Sequence, residues 1–207
     1  MFLNRNDYSS KDLWEYVKVD IRKHEQAKGG VLIIDNAIEE KHYTDENEII
    51  SWHFSNAKGH CVKGVNILSS LVRYGDIALP VAYEVVTKTL HFCDIKTKQE
   101  KRQSSTTKNQ HFRSIVKQAV ENNIWFEYVL ADNWFGAKDN MVFVHYKLNK
   151  FFIFGIKANS LVAFTNQERK ERKYRNLHSL SLKDGERVKG LAFPVVIVTN
   201  SRYAVRG

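Results

Sequence analysis

The sequence predicts an α/β fold with a mixed sheet, and three observations carry that expectation. Val31-Leu32-Ile33-Ile34 is an unbroken branched apolar run ending in Asp35, as expected of a central buried strand. A second such run, Phe126-Glu127-Tyr128-Val129-Leu130-Ala131, ends in Asp132. Between and around them lie segments with helical spacing and segments bounded by turn residues. A hydrophobic fraction of 43% over 207 residues is enough for one globular domain with its own core, and excludes a disordered chain.

Taken in order, residues 9–28 open with Ser9-Ser10 as caps. They continue through Leu13, Trp14, Tyr16, Val17 and Ile21 as an amphipathic helix with a basic end. Residues 36–60 are charged and histidine-rich and read as a long exposed loop. Residues 61–73 read as a strand, Gly75-Asp76 as a turn, and Ala78–Val86 as the returning strand, completing an antiparallel meander with residues 31–35. Pro80 places that third strand at an edge. Residues 94–110 are basic and read either as a solvated linker or as a loop along phosphates. A helix is expected at 109–123, a strand at 126–132, a helix at 137–149 and a buried strand at 151–156. The order β-β-β-α-β-α-β gives a mixed sheet flanked by helices. Residues 166–175 are almost wholly charged or polar, and 191–198 read as a last strand.

The charge balance points toward a polyanion. Formal net charge is +9, which favours nucleic acid over a merely soluble basic protein. Lys63, Lys96, Lys98, Lys101, Arg102 and Lys108 form one basic set, and Arg169, Lys170, Arg172 and Lys173 a second. No apolar stretch approaches the ~20 residues needed to span a bilayer, and the N-terminal segment lacks a signal-peptide core. Cys61 and Cys93 show no metal spacing, and with no Asn-x-Ser/Thr acceptor the pattern fits a reducing cytosol. His42, His53, His60 and His91 match no zinc motif and read as ordinary surface histidines.

An Asp at the exit of a buried strand is, alone, a strand-end cap. Two of them, each closing a buried strand, can lie side by side within about 8 Å and offer a divalent cation paired carboxylates.

Those elements, with the words Val31-Leu32-Ile33-Ile34-Asp35, Glu40-Lys41, Lys63-Gly64-Val65-Asn66 and Val129-Leu130-Ala131-Asp132-Asn133-Trp134-Phe135-Gly136, resemble the DDE transposases of bacterial insertion sequences and their ribonuclease H-like fold. The resemblance covers about residues 31–160. It implies Asp35 and Asp132 as catalytic, metal-holding acids for two Mg²⁺ (or Mn²⁺) ions. It also implies double-stranded DNA, both element ends and target, as partner, a homodimer on DNA, and a place in the bacterial cytoplasm at the nucleoid.

Two departures accompany it. Ala37 stands where family members commonly carry Thr, and the closing helix word with the family's Glu is not found. The chain therefore reads as the middle of a transposase: a lead-in helix at 1–28, the catalytic core at 29–160, and part of a β-rich insertion at 161–207. Two alternatives stand beside it. One is a ribonuclease H-like nuclease whose third acid lies in this chain, with Glu39, Glu84 and Asp139 as candidates. The other is a non-catalytic DNA-binding remnant.

Overall fold

The computed structural model describes residues 8–25, 29–157, 159–163, 165–180, 187–190 and 195–198. The chain divides into two compact units, Met1–Gly155 and Ile156–Gly207.

The first unit is built on a six-stranded mixed sheet. Strand β1 (Val31–Glu40) lies at its centre. On one side it pairs antiparallel with β3 (His60–Tyr74), and on the other parallel with β7 (Tyr128–Ala131). Strand β8 (Phe151–Phe154) continues parallel beyond β7. The far side of β3 is shared: its first half pairs with β2 (Ile50–Ser55) and its second with β4 (Ile77–Val85), both antiparallel. Four antiparallel strands followed by two parallel ones, with helices between, match the mixed ribonuclease H-like arrangement that the sequence predicts.

The helices follow from local chemistry. Helix α1 (Ser10–His24) starts at a capping box in which Ser9 and Asp12 satisfy each other's backbone donors. Helix α2 (Lys108–Glu121) starts at a second box, Thr107 with Gln110. Ile21 from α1 and Phe112, Ile115, Val116 and Ala119 from α2 are buried with Leu32, Ile34, Leu68, Val72 and Val129 in one core cluster. Both helices therefore cover the same sheet face, the one carrying the even-numbered side chains of β1. On the opposite face, Leu71, Phe151 and Ile153 are 39%, 53% and 56% exposed.

Several expectations need correction. Residues 36–60 are not one loop: β1 runs on to Glu40, and 50–55 form β2. Ser51, His53 and Asn66 are buried and hydrogen-bonded to one another, a polar core feature that hid the strand's alternation. His53 is thus not a surface histidine. The basic stretch near 94–110 contains a hairpin, β5 (Leu90–Cys93) with β6 (Glu100–Gln103). The helix expected at 137–149 is a short α3 (Lys138–Val142) running into a π-helical turn at Phe143–Lys147. Strand β8 is not buried on both faces, because Phe151 and Ile153 point away from the helices.

The second unit carries two small antiparallel pairs, β9 (Leu161–Val162) with β10 (Arg175–Asn176) and β11 (Arg187–Gly190) with β12 (Val195–Val198). Between β9 and β10, helix α4 (Asn166–Lys170) begins at a Thr165–Glu168 capping box. The expected strand at 191–198 is described only at 195–198, and the segment 200–207 lies outside the described residues.

Candidate metal centre

Asp35 and Asp132 meet because of strand register. Ile34 faces Ala131 across the parallel β1–β7 pair, and Asp35 and Asp132 are the next residues on each chain. Parallel neighbours lie about 4.8 Å apart, so the backbones of the two residues run side by side. Alternation turns Asp35 away from the buried Ile34, to the face without α1 and α2.

The local electrostatics record their proximity. Solvent reaches part of Asp132, but crowding on its other side pushes its carboxyl above the ordinary range, and the charge of Asp35 pushes the same way. Hydrogen bonds from the backbone N–H groups of Trp134 and Phe135 act against that rise. The Trp134 N–H donates to Asp132 Oδ1 at 3.0 Å, and the Asn36 N–H to Asp35 Oδ1 at 2.8 Å. Each carboxylate is oriented by the backbone just after it, while neither is neutralised by an ion pair among the described residues. Two adjacent anions with fixed orientation and solvent access are a donor set that a hard divalent cation fits.

The loop after Asp132 is held by close packing. A Cβ on Gly136 would lie 2.2 Å from the Gly155 carbonyl oxygen, and one on Gly155 would lie 2.6 Å from the Asn133 nitrogen. The two glycines let the Asp132 loop and the end of β8 touch backbone to backbone. Beneath them, buried Asn140 donates to the Phe135 carbonyl and to Asn109 Oδ1, and accepts from Arg113 at 2.8 Å. Asn140 ties the loop to α2. Sequence reading missed it, because a single Asn near a helix start carries no periodic signal.

Lys108, the first residue of α2, stands near this centre. Its ammonium lies 5.3 Å from the Trp134 ring centroid. Burial lowers its pKa, the field of Asp132 raises it, and Lys88 lowers it. Lys88 was also missed by the sequence reading. It is partly buried, with its pKa lowered by burial, and donates to the Trp52 carbonyl at 2.5 Å.

The candidates for a third acid are scattered. Glu84 pairs in register with Leu68 on the helix-bearing face, where it accepts from Ser114 and sits 3.5 Å from His111, so the sheet separates it from Asp35. Glu39 shares the face of Asp35 but lies four residues along β1, about 13 Å away, beside Lys41. Asp139 is exposed in the first turn of α3. Among the described residues no three His, Cys, Asp or Glu side chains gather as a metal cluster.

The basic residues fall in both units and differ in their partners. Lys63 opposes Trp52 across β2 and β3. Lys96 and Lys98 occupy the β5–β6 turn, where Lys98 has a φ of 57°. Lys101 pairs with Asp94 at 2.5 Å, and Arg102 approaches Glu46 at 3.8 Å, so two cations of this set already have partners. Arg169 and Lys170 are exposed on α4, Arg172 follows it, and Lys173 pairs with Glu171 at 2.8 Å.

A family model described as DDE superfamily endonuclease matches residues 1–187. The chain belongs to that family. Among solved structures, this DDE family member aligns with a chain of the "Drosophila P element transposase strand transfer complex" at 9% identity and a TM-score of 0.27. The alignment covers 68% of this chain and 37% of that one, a likeness too slight to carry a structural argument. No curated protein matches the chain. No described helix is long and apolar enough to cross a membrane.

Proposed function

We propose that this DDE endonuclease family member is an incomplete DNA transposase core, in which Asp35 and Asp132 would hold one divalent cation at a site of the kind that cleaves and transfers phosphodiester bonds. The observation that carries the reading is that Asp35, within β1, and Asp132, just past β7, follow a register pair of the parallel strands, with the charge of Asp35 felt at Asp132. A bound Mg²⁺ or Mn²⁺ would activate a water or 3′-hydroxyl and stabilise the leaving oxygen. The chain's own residues do the rest. Asp35 and Asp132 hold the cation, the Trp134 and Phe135 N–H groups fix the Asp132 rotamer, and the Gly136–Gly155 contact keeps its loop in place. Lys108 stands ready to neutralise a phosphate arriving beside Asp132.

Two carboxylates suffice for one cation with several waters, whereas in-line displacement is best served by two. With Glu39, Glu84 and Asp139 all apart from the pair, the reading favours an incomplete site: DNA binding and weak metal binding, with slow cleavage or none. The partner is double-stranded DNA in the bacterial nucleoid, engaged by a homodimer. The domain reading follows the same logic, with a helix at 1–28, the catalytic core at 29–160 and a β-rich segment at 161–207.

The test is nicking of a supercoiled plasmid in Mn²⁺, with Asp35→Ala and Asp132→Ala as controls. The reading expects parent activity close to that of the variants. Fast parent cleavage abolished by both substitutions would show a complete site, and Asp139→Ala would then be the next variant. Cleavage equal and fast in all three chains would remove the aspartates from the chemistry.

A further inference from the structure

A cleft of about 390 Å³ opens beside Asp132. Asn36 and Ile38 of β1 line one wall, the turn between β2 and β3 another, and Lys108 and Trp134 the third. Its size falls in the range of small-molecule sites, and its lining mixes polar and apolar groups.

Three features define what would fit. Trp134 contributes an aromatic ring. Lys108 supplies a cation 5.3 Å from that ring, at the N-terminal end of a fourteen-residue helix whose dipole also favours an anion. The third feature is Asn36: its Oδ1 is buried and has no hydrogen-bond partner among the described residues. A buried acceptor without a donor is costly until something donates to it. Glu40, at the cleft's rim, has its charge met by Lys58 at 2.6 Å and His42 at 3.1 Å, so it does not repel an incoming anion unopposed.

A ligand with a π face, a donor-bearing edge and a nearby negative charge is a nucleotide. A base stacked and paired in a duplex presents none of its face, whereas an unpaired one can. We propose that the cleft receives one nucleotide displaced from the duplex, with its base edge on Asn36, its base face against Trp134 and its phosphate on Lys108. This rests on the reading of the β1 and β7 ends as a DNA-processing site. It adds a recognition step that the two aspartates do not provide.

The test uses the full chain in EDTA, so that metal binding plays no part. Two duplexes of one sequence carry a central 2-aminopurine, paired with thymine in one and set opposite an abasic position in the other. The expected result is about tenfold tighter binding of the unpaired probe, with its fluorescence quenched by Trp134. In Asn36→Ala that preference should fall at least several-fold while affinity for the paired duplex changes little, and in Lys108→Gln the preference should fall at least several-fold beyond any general loss of duplex affinity. A parent chain indifferent to pairing, or a preference retained in both variants, would overturn the proposal. Mn²⁺ binding measured on EDTA-free portions of the same preparations separates the two ideas. Intact metal binding without preference defeats the cleft alone, and preference without metal binding defeats the aspartate site alone.

Discussion

Asp35 and Asp132 are consecutive to a register pair, Ile34 with Ala131, on two parallel strands, and that single relationship brings together residues almost a hundred positions apart. It also creates a conflict. The charge of Asp35 raises the cost of ionising Asp132. The fold carries the conflict where β7 stops beside its central strand, and a cation there would relieve it.

The first prediction concerns pH. The Asp132 carboxyl is raised above its ordinary value by partial burial and by Asp35. A raised carboxyl pKa means that the native state holds its proton more tightly than the unfolded chain does. The relative stability is therefore full below about pH 4 and lost as pH rises through the native pKa. In EDTA, Asp132→Asn should melt above the parent at pH 7, and the gap should close toward pH 3.5. Equal melting temperatures across the range would contradict the repulsion.

His53 gives a prediction of opposite direction. Burial and the charges of Lys88 and Lys108 bring its pKa down to about 4. It is neutral in the fold, and the unfolded chain protonates first as pH falls. Stability is present above about pH 6.5 and lost progressively toward pH 4, by on the order of 3 kcal/mol. His53→Gln should flatten that decline. An NMR titration showing His53 protonated by pH 6 would refute it.

Gly136→Ala tests the contact behind the Asp132 loop. A methyl group there meets the Gly155 carbonyl at 2.2 Å, so backbone must move. Denaturant unfolding should show a loss of about 1–3 kcal/mol. A neutral result would mean that the loop is not pinned by β8.

Duplex binding should be salt-dependent. Among the described residues Lys63, Lys96, Lys98 and Lys108 form no ion pair with a carboxylate, whereas Lys101 and Arg102 are partnered. Replacing Lys96 or Lys98 with Gln should reduce the slope of log affinity against log salt by about 0.9 each, and replacing Lys101 by less. A flat salt dependence of the parent would remove the argument from charge.

Legibility in the sequence followed the range of the forces involved. The central strand, the core-facing side of α2 and the order of the elements were readable, because apolar periodicity reports burial directly. Asp35 and Asp132 stood out because a carboxylate closing an apolar run is unusual. Strand β2 was hidden, since its inward positions are Ser51 and His53, which find partners only after folding. The charges of Lys101 and Arg102 looked free for phosphate, because Asp94 and Glu46 meet them only across a hairpin and a loop. The cleft at Trp134 was equally invisible, being assembled from β1, a turn, a helix start and the Asp132 loop.

The most direct test of the central claim is Mn²⁺ binding followed by electron paramagnetic resonance, on the parent chain and on Asp35→Asn and Asp132→Asn. Weak binding of one ion by the parent, lost in each single variant without loss of fold, is the predicted result. Parent binding that survives in both variants, or no binding by the parent at millimolar Mn²⁺, would contradict the account.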